Sequence, residues 1–203
     1  MKTLGIIGSA RKAGNTARLV EQILAGASQA GSQVERLDLI DHDIRPCLGC
    51  PCYVQSPKRP CVQSDDLAGL GVQMAAADLL VVSTPIYWYG PSGLFKLFLD
   101  RWIGLPAGTF TATHVAAALT MQDATLSTAQ PTLDMLDRSF HGDWISYEGH
   151  VLASGLGHTP DAIASDPECL KRAFRFGLEL AGKLLGNVDA GSETETPTET
   201  PDD

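Results

Sequence analysis

Residues 5–16 read GIIGSARKAGNT. The apolar start passes at Gly8 into a loop of small and polar residues and ends on Asn15 and Thr16, where a helical pattern begins. A continuous apolar run marks a strand covered on both faces. A loop with so little side-chain bulk between strand and helix lets a ligand approach the backbone. The helix start beyond it offers unpaired N–H groups and the positive end of a dipole. Ser9, Asn15 and Thr16 add hydroxyl and amide groups and Arg11 a charged donor, so the stretch reads as an anion cradle for a phosphate. Two familiar phosphate loops are excluded. Gly5, Gly8 and Gly14 lack the GxGxxG spacing, and no Gly-Lys-Ser/Thr follows.

Outward from this loop, strands and helices alternate. NTARLVEQILAGASQAG carries Leu19, Ile23 and Leu24 on one helical stripe and stops at Gly31. SQVERLDLI reads as a second strand, and residues 41–64 as a long loop. DDLAGLGVQMAAA reads as a helix with Ser64 or Asp65 as its N-cap. DLLVVSTP is a third, buried strand that Pro85 ends, and SGLFKLFLDRW a helix. THVAAALTM is the fourth strand, TAQPTLDMLDRSFHG a helix with Pro131 in its first turn, DWISYEGHVLAS the fifth strand and DPECLKRAFRFGLELAGKLLG the closing helix. This order predicts an α/β fold, a doubly wound parallel sheet with helices on both faces. Ligands in such sheets bind at the carboxyl ends of the strands, so the loops after strands one, three and four carry the site.

The loop after strand three is TPIYWYGPSG. Tyr87, Trp88 and Tyr89 are consecutive in a loop, although large rings normally seek the core. At least one of them is expected to fold back onto the core or into an interface. A phosphate cradle beside an aromatic, glycine-bearing loop suits a flat ring tethered to a phosphate.

GSARKAGNT, the cysteine-rich loop leading to DDL, and STPIYWYGPSGLFKLFLDRW together resemble the flavodoxin-like NAD(P)H-dependent FMN reductases, including their iron–sulfur flavoprotein branch. The resemblance covers residues 1 to about 102, and the second half follows the same element order. It implies a five-stranded parallel sheet of order 2-1-3-4-5 with FMN at its edge. It assigns Ser9, Arg11, Asn15 and Thr16 to the FMN phosphate and Pro85, Ile86, Tyr87, Trp88 and Gly90 to the isoalloxazine. Met121 and Gln122, after strand four, would touch the other side of the flavin. The implied activity is electron transfer from NAD(P)H through FMN to a small acceptor: a quinone, flavin, nitro compound or metal ion. No side-chain nucleophile is needed, consistent with the absence of a G-x-S-x-G elbow and of HExxH spacing.

The loop PCLGCPCYVQSPKRPC holds Cys47, Cys50, Cys52 and Cys61. Four thiolates can bind a [4Fe–4S] cluster or zinc, or remain free thiols or a redox pair. The iron–sulfur branch spaces its first three cysteines two residues apart, whereas here Pro51 alone separates Cys50 from Cys52. With a cluster, the protein would be an electron carrier. Lys58 and Arg59 read as a solvated charge pair ahead of a pair lowering a nearby thiol pKa, Cys169 as a core residue, and His158, in SGLGHTP near the rim, as a surface residue ahead of a contact to substrate or nicotinamide.

Composition bounds the rest. Residues 1–186 are expected to form one domain and 187–203 a disordered acidic tail. Six of the chain's 24 acidic residues lie beyond Asn187 with no base among them, leaving 18 acidic against 15 basic residues in the body. That balance gives no footprint for nucleic acid. The absence of a signal-peptide pattern or a membrane span predicts a cytoplasmic protein without a membrane partner. The exposed aromatics predict a homodimer or homotetramer.

Overall fold

The computed structural model describes residues 1–51, 61–106, 108–110, 113–141 and 145–186. Cys52, Lys58, Arg59 and the acidic tail lie outside these residues. Five parallel strands form the sheet: β1 (Lys2–Ile7), β2 (Gln33–Asp38), β3 (Leu79–Tyr87), β5 (Thr113–Thr120) and β6 (Ile145–Ala153). A two-residue strand, β4 (Gly90–Pro91), turns back antiparallel on β3. The order is β2-β1-β3-β5-β6, the expected 2-1-3-4-5 once β4 is set aside. Helices α1 (Asn15–Gln29) and α5 (Pro167–Leu184) cover one face. Helices α2 (Leu67–Ala75), α3 (Gly93–Asp100) and α4 (Gln130–Ser139) cover the other.

The apolar runs of the central strands divide between two cores by the two-residue alternation of a strand. Leu80 and Val82 face the α2–α3–α4 side, while Leu79 and Val81 face α1 and α5; Val115 and Ala117 oppose Ala116 and Ala118 in the same way. Helices α1 and α5 cross with backbones in contact. A Cβ on Gly26 would lie 2.0 Å from the Phe174 carbonyl oxygen, and one on Gly177 would lie 2.0 Å from that of Ile23. Cys169 sits in this core as expected, its thiol pushed up chiefly by burial. Among the described residues no helix is long and apolar enough to cross a membrane.

Three local expectations are corrected. Pro85 does not end β3, which runs on to Tyr87. The last β1 partner is Ile7, opposite Ser83, so at Pro85 one flank of the strand is already free of β1, a setting in which strands tolerate proline. The helix expected over SGLFKLFLDRW stops at Asp100, and Trp102 falls in a 3₁₀ turn beyond it. Helix α2 starts at Leu67, not after a Ser64 or Asp65 cap.

The Asp65 carboxylate meets a buried cation as well as the start of α2. It pairs with Arg101 at 2.5 Å, with both side chains only 1% exposed. Arg101 also donates to the Arg45 carbonyl at 2.6 Å and to Cys61 Sγ at 3.3 Å, and Asp65 accepts the N–H groups of Arg45 and Leu67. The end of α3 thereby clamps both ends of the cysteine loop. Burial alone would raise the Asp65 pKa, but the guanidinium and the two N–H groups hold it below the usual carboxylate range.

A group so depressed contributes stability above its unfolded pKa of about 3.9, and that stability is lost as pH falls through its lower folded value. Asp65→Asn should cost about 3 kcal/mol at pH 7, because it strands a buried guanidinium. Urea unfolding should show the gap from wild type shrinking as pH falls below about 4, where Asp65 of the unfolded chain takes up a proton that the folded carboxylate still resists.

Candidate cofactor site

Four loops meet at the carboxyl edge of the sheet, and hydroxyl groups tie them together. The Gly8 N–H donates to Ser83 O at 2.9 Å. Ser92 caps α3 by accepting the Phe95 N–H at 3.1 Å, and its own hydroxyl donates to Gly8 O at 2.6 Å. The Ser92 N–H donates to Thr84 Oγ1 at 2.8 Å. Gly8 is required here, since a Cβ would lie 2.2 Å from Ser83 O and 2.8 Å from Phe95 Cβ. Across the cleft floor Thr16 Oγ1 and Thr120 Oγ1 share a 2.7 Å hydrogen bond, joining the start of α1 to the end of β5.

The first lobe of the cleft, about 200 Å³, is lined by Ser9, Arg11, Asn15, Thr16, Pro85, Ile86, Tyr87, Met121 and Gln122 of the expected set. Arg11 is exposed, and its backbone N–H reaches Ser9 Oγ at 3.2 Å. Asn15 is more committed than its sequence suggests. Its N–H donates to Pro160 O at 2.9 Å, its Nδ2 to Thr159 O at 3.0 Å, and its Oδ1 accepts the Ile163 N–H at 3.1 Å. The first-turn N–H groups of Thr16 and Ala17 have no acceptor in the helix ladder.

Asn15 holds a wall of which the sequence had singled out His158 alone. Leu156, Gly157, His158, Thr159 and Pro160, after β6, also line this lobe. His158, read first as a surface residue, meets Gln122 across the cleft, Nε2 to Nε2 at 3.0 Å. The signal for this wall was the edge rule itself: a fifth parallel strand also ends at the ligand edge.

Trp88 lines a second lobe of about 640 Å³, which shares Ile86, Tyr87, Met121 and Gln122 with the first. Gly90 lines neither lobe; it pairs with Tyr87 and closes the turn. Within that turn Trp88 has φ 50° and Tyr89 φ 63°. Two consecutive positive φ values fit a type I′ hairpin turn, a conformation that favours Asn and Gly and costs aromatic residues on the order of 1–2 kcal/mol each. The turn holds the rings out: Tyr87, Trp88 and Tyr89 are 54%, 96% and 61% exposed. In the isolated chain none folds back onto the core, so of the two expected placements only an interface is left for them.

These features fit a mononucleotide. One lobe joins a guanidinium to a helix N-terminus, and the adjoining lobe presents aromatic rings. Of the four cysteines of the long loop, Cys52 lies outside the described residues. Cys47 is exposed, Cys50 and Cys61 are half-buried, and among the described residues no three His, Cys, Asp or Glu side chains converge on a metal position.

Comparison with known proteins agrees. The sequence profile of the NADPH-dependent FMN reductases matches residues 1–141. An iron–sulfur flavoprotein of Methanocaldococcus jannaschii is 27% identical over 187 residues, 89% of this chain and 96% of its own length. A Bacillus subtilis protein whose name describes an NAD(P)H-dependent FMN-containing oxidoreductase is 29% identical over 184 residues, 87% of this chain and 96% of its own. The solved NAD(P)H:quinone oxidoreductase of Methanothermobacter marburgensis shares the fold at a TM-score of 0.67, with 19% identity, over 88% of this chain and 94% of its own.

Ser92→Ala should remove the α3 cap and strand the buried Gly8 carbonyl, costing about 2 kcal/mol in urea unfolding. Equilibrium dialysis should also show weaker FMN uptake, because the spacing of the two loops is released. The chain belongs to the NADPH-dependent FMN reductase family and is an FMN-dependent oxidoreductase.

Proposed function

We propose that FMN lies with its phosphate in the first lobe and its isoalloxazine toward the second, and that electrons from NAD(P)H leave to a small-molecule acceptor: a quinone, flavin, nitro compound or metal ion. The observation that carries this reading is the partition of chemistry in one continuous cleft. Arg11 and the start of α1 stand at one end and the exposed aromatic turn at the other, with Ile86, Tyr87, Met121 and Gln122 between them.

Bound FMN supplies hydride acceptance and onward electron transfer. The chain's own groups bind and orient it. Arg11 and the first-turn N–H groups receive the dianion, with Ser9 beside them. The Thr16 hydroxyl, committed to Thr120, and the Asn15 side chain, committed to the wall after β6, fix the cradle's shape. Pro85, Ile86, Tyr87 and Trp88 bound the ring, Gly90 sets the turn that presents them, and Met121 and Gln122 close the opposite side. Self-association into a homodimer or homotetramer through the exposed rings belongs to the same reading.

Arg11→Ala is the direct test, since among the described residues this side chain carries no structural hydrogen bond. FMN affinity should fall about tenfold, or ~1.4 kcal/mol, while riboflavin, which has no phosphate, should bind as it does to the wild type. Equal losses for both ligands would overturn the placement of the phosphate.

A second reading is favoured by the iron–sulfur flavoproteins among the relatives and by the retention of Cys47, Cys50, Cys52 and Cys61. On that reading the protein is an electron carrier with a [4Fe–4S] cluster. Iron and labile sulfide in anaerobically purified protein support it. Steady NAD(P)H consumption by iron-free, FMN-loaded protein supports the enzyme instead.

A further inference from the structure

Resting on the FMN reading above, we infer that the second lobe receives the electron acceptor and selects a flat ring that bears no negative charge. Beyond the four residues shared with the first lobe, its walls are Trp88, Tyr89, Asp123 and Thr128. Two of these are aromatic rings held in solvent by a left-handed backbone, an arrangement retained against local strain. Rings displayed in this way stack on planar partners.

Charge is segregated along the cleft. Among the described residues no lysine, arginine or histidine lines the second lobe; Arg11 and His158 stand in the first. The charged group of the second lobe is Asp123. Its carboxylate accepts the Thr125 N–H at 2.9 Å and the Thr128 hydroxyl at 2.7 Å. The Thr125 N–H, and after it the Thr128 hydroxyl, hold it below the usual carboxylate range, so it is ionised at neutral pH. An anionic acceptor therefore meets a fixed carboxylate and no compensating base. A neutral or cationic ring meets aromatic faces. For a quinone the balance is NAD(P)H + H⁺ + quinone → NAD(P)⁺ + hydroquinone: the hydride carries two electrons and one proton, and solvent supplies the second proton.

The test compares 1,4-naphthoquinone with its 2-sulfonate on FMN-loaded protein, using wild type, Asp123→Asn and the control Glu179→Gln. Glu179 is exposed on α5 and lines neither lobe, so the control changes net charge equally without altering the cleft. Each quinone's own reduction potential cancels when variants are compared. In about 0.01 M salt, the ratio of kcat/KM for the sulfonate over the neutral quinone should rise about threefold in Asp123→Asn, the effect of one unit charge in water at roughly 7 Å. It should stay unchanged in Glu179→Gln, and the gain should vanish in about 1 M salt. An unchanged ratio in Asp123→Asn, or an equal rise in the control, overturns the inference.

Binding gives a readout free of turnover. Naphthoquinone should quench tryptophan emission that Trp88→Phe removes, and the two quinones' affinities should follow the same order across the variants. Failure of every acceptor to support NAD(P)H oxidation would count against the enzyme reading. The quenching titrations would still decide the acceptor site.

Discussion

The hydrogen bond from Ser92 to the Gly8 carbonyl sets the geometry on which the cleft depends. One hydroxyl closes α3 and grips the end of β1, and the same residue's N–H rests on Thr84. The loop after β1 and the aromatic turn, about 80 residues apart in sequence, are thereby held in fixed register. Glycine at position 8 is part of the same constraint, because any Cβ would press on the β3 backbone and force the two loops apart. The FMN placement proposed above needs this rigidity, since it assigns the cofactor's two ends to different chemistry on different loops.

The aromatic turn shows the opposite economy. Nothing in the isolated chain rewards placing Trp88 and Tyr89 at positive φ; asparagine or glycine would make the same turn with less strain. The turn persists because Tyr87 pairs with Gly90 and the Thr132 hydroxyl donates to Tyr89 O at 3.2 Å, fixing it from the α4 side. Strain held in place by its surroundings and spent on exposing rings is what a recognition surface requires of a backbone.

The sheet was legible in sequence because burial on both faces leaves unbroken apolar runs, as in LLVVS and VAAAL. The first strand–loop–helix junction was legible because the apolar run stops at Gly8 and a helical pattern begins at Asn15. What escaped were pairings that depend on distant chain. Asp65 carries every mark of a helix cap, and only the fold brings Arg101 against it. Pro85 looks like a terminator, and only strand order reveals that β1 has already ended there. Asn15 offers an amide to an anion on paper, yet the wall after β6 takes both ends of that amide.

Helix α3 links the two regions the sequence singled out. Ser92 at its start holds the cleft loops, and Arg101 just past its end clamps the cysteine loop through Arg45, Cys61 and Asp65. Eight residues span about 12 Å, so both attachments sit on one short rigid element. A change in the chemistry of Cys61 bears on a buried guanidinium that cannot shift without exposing the Asp65 charge, and that load falls on the helix whose other end spaces the cradle from the aromatic turn. The cleft loops and the residues at Arg45, Cys61 and Asp65 are thus attached to opposite ends of one short helix.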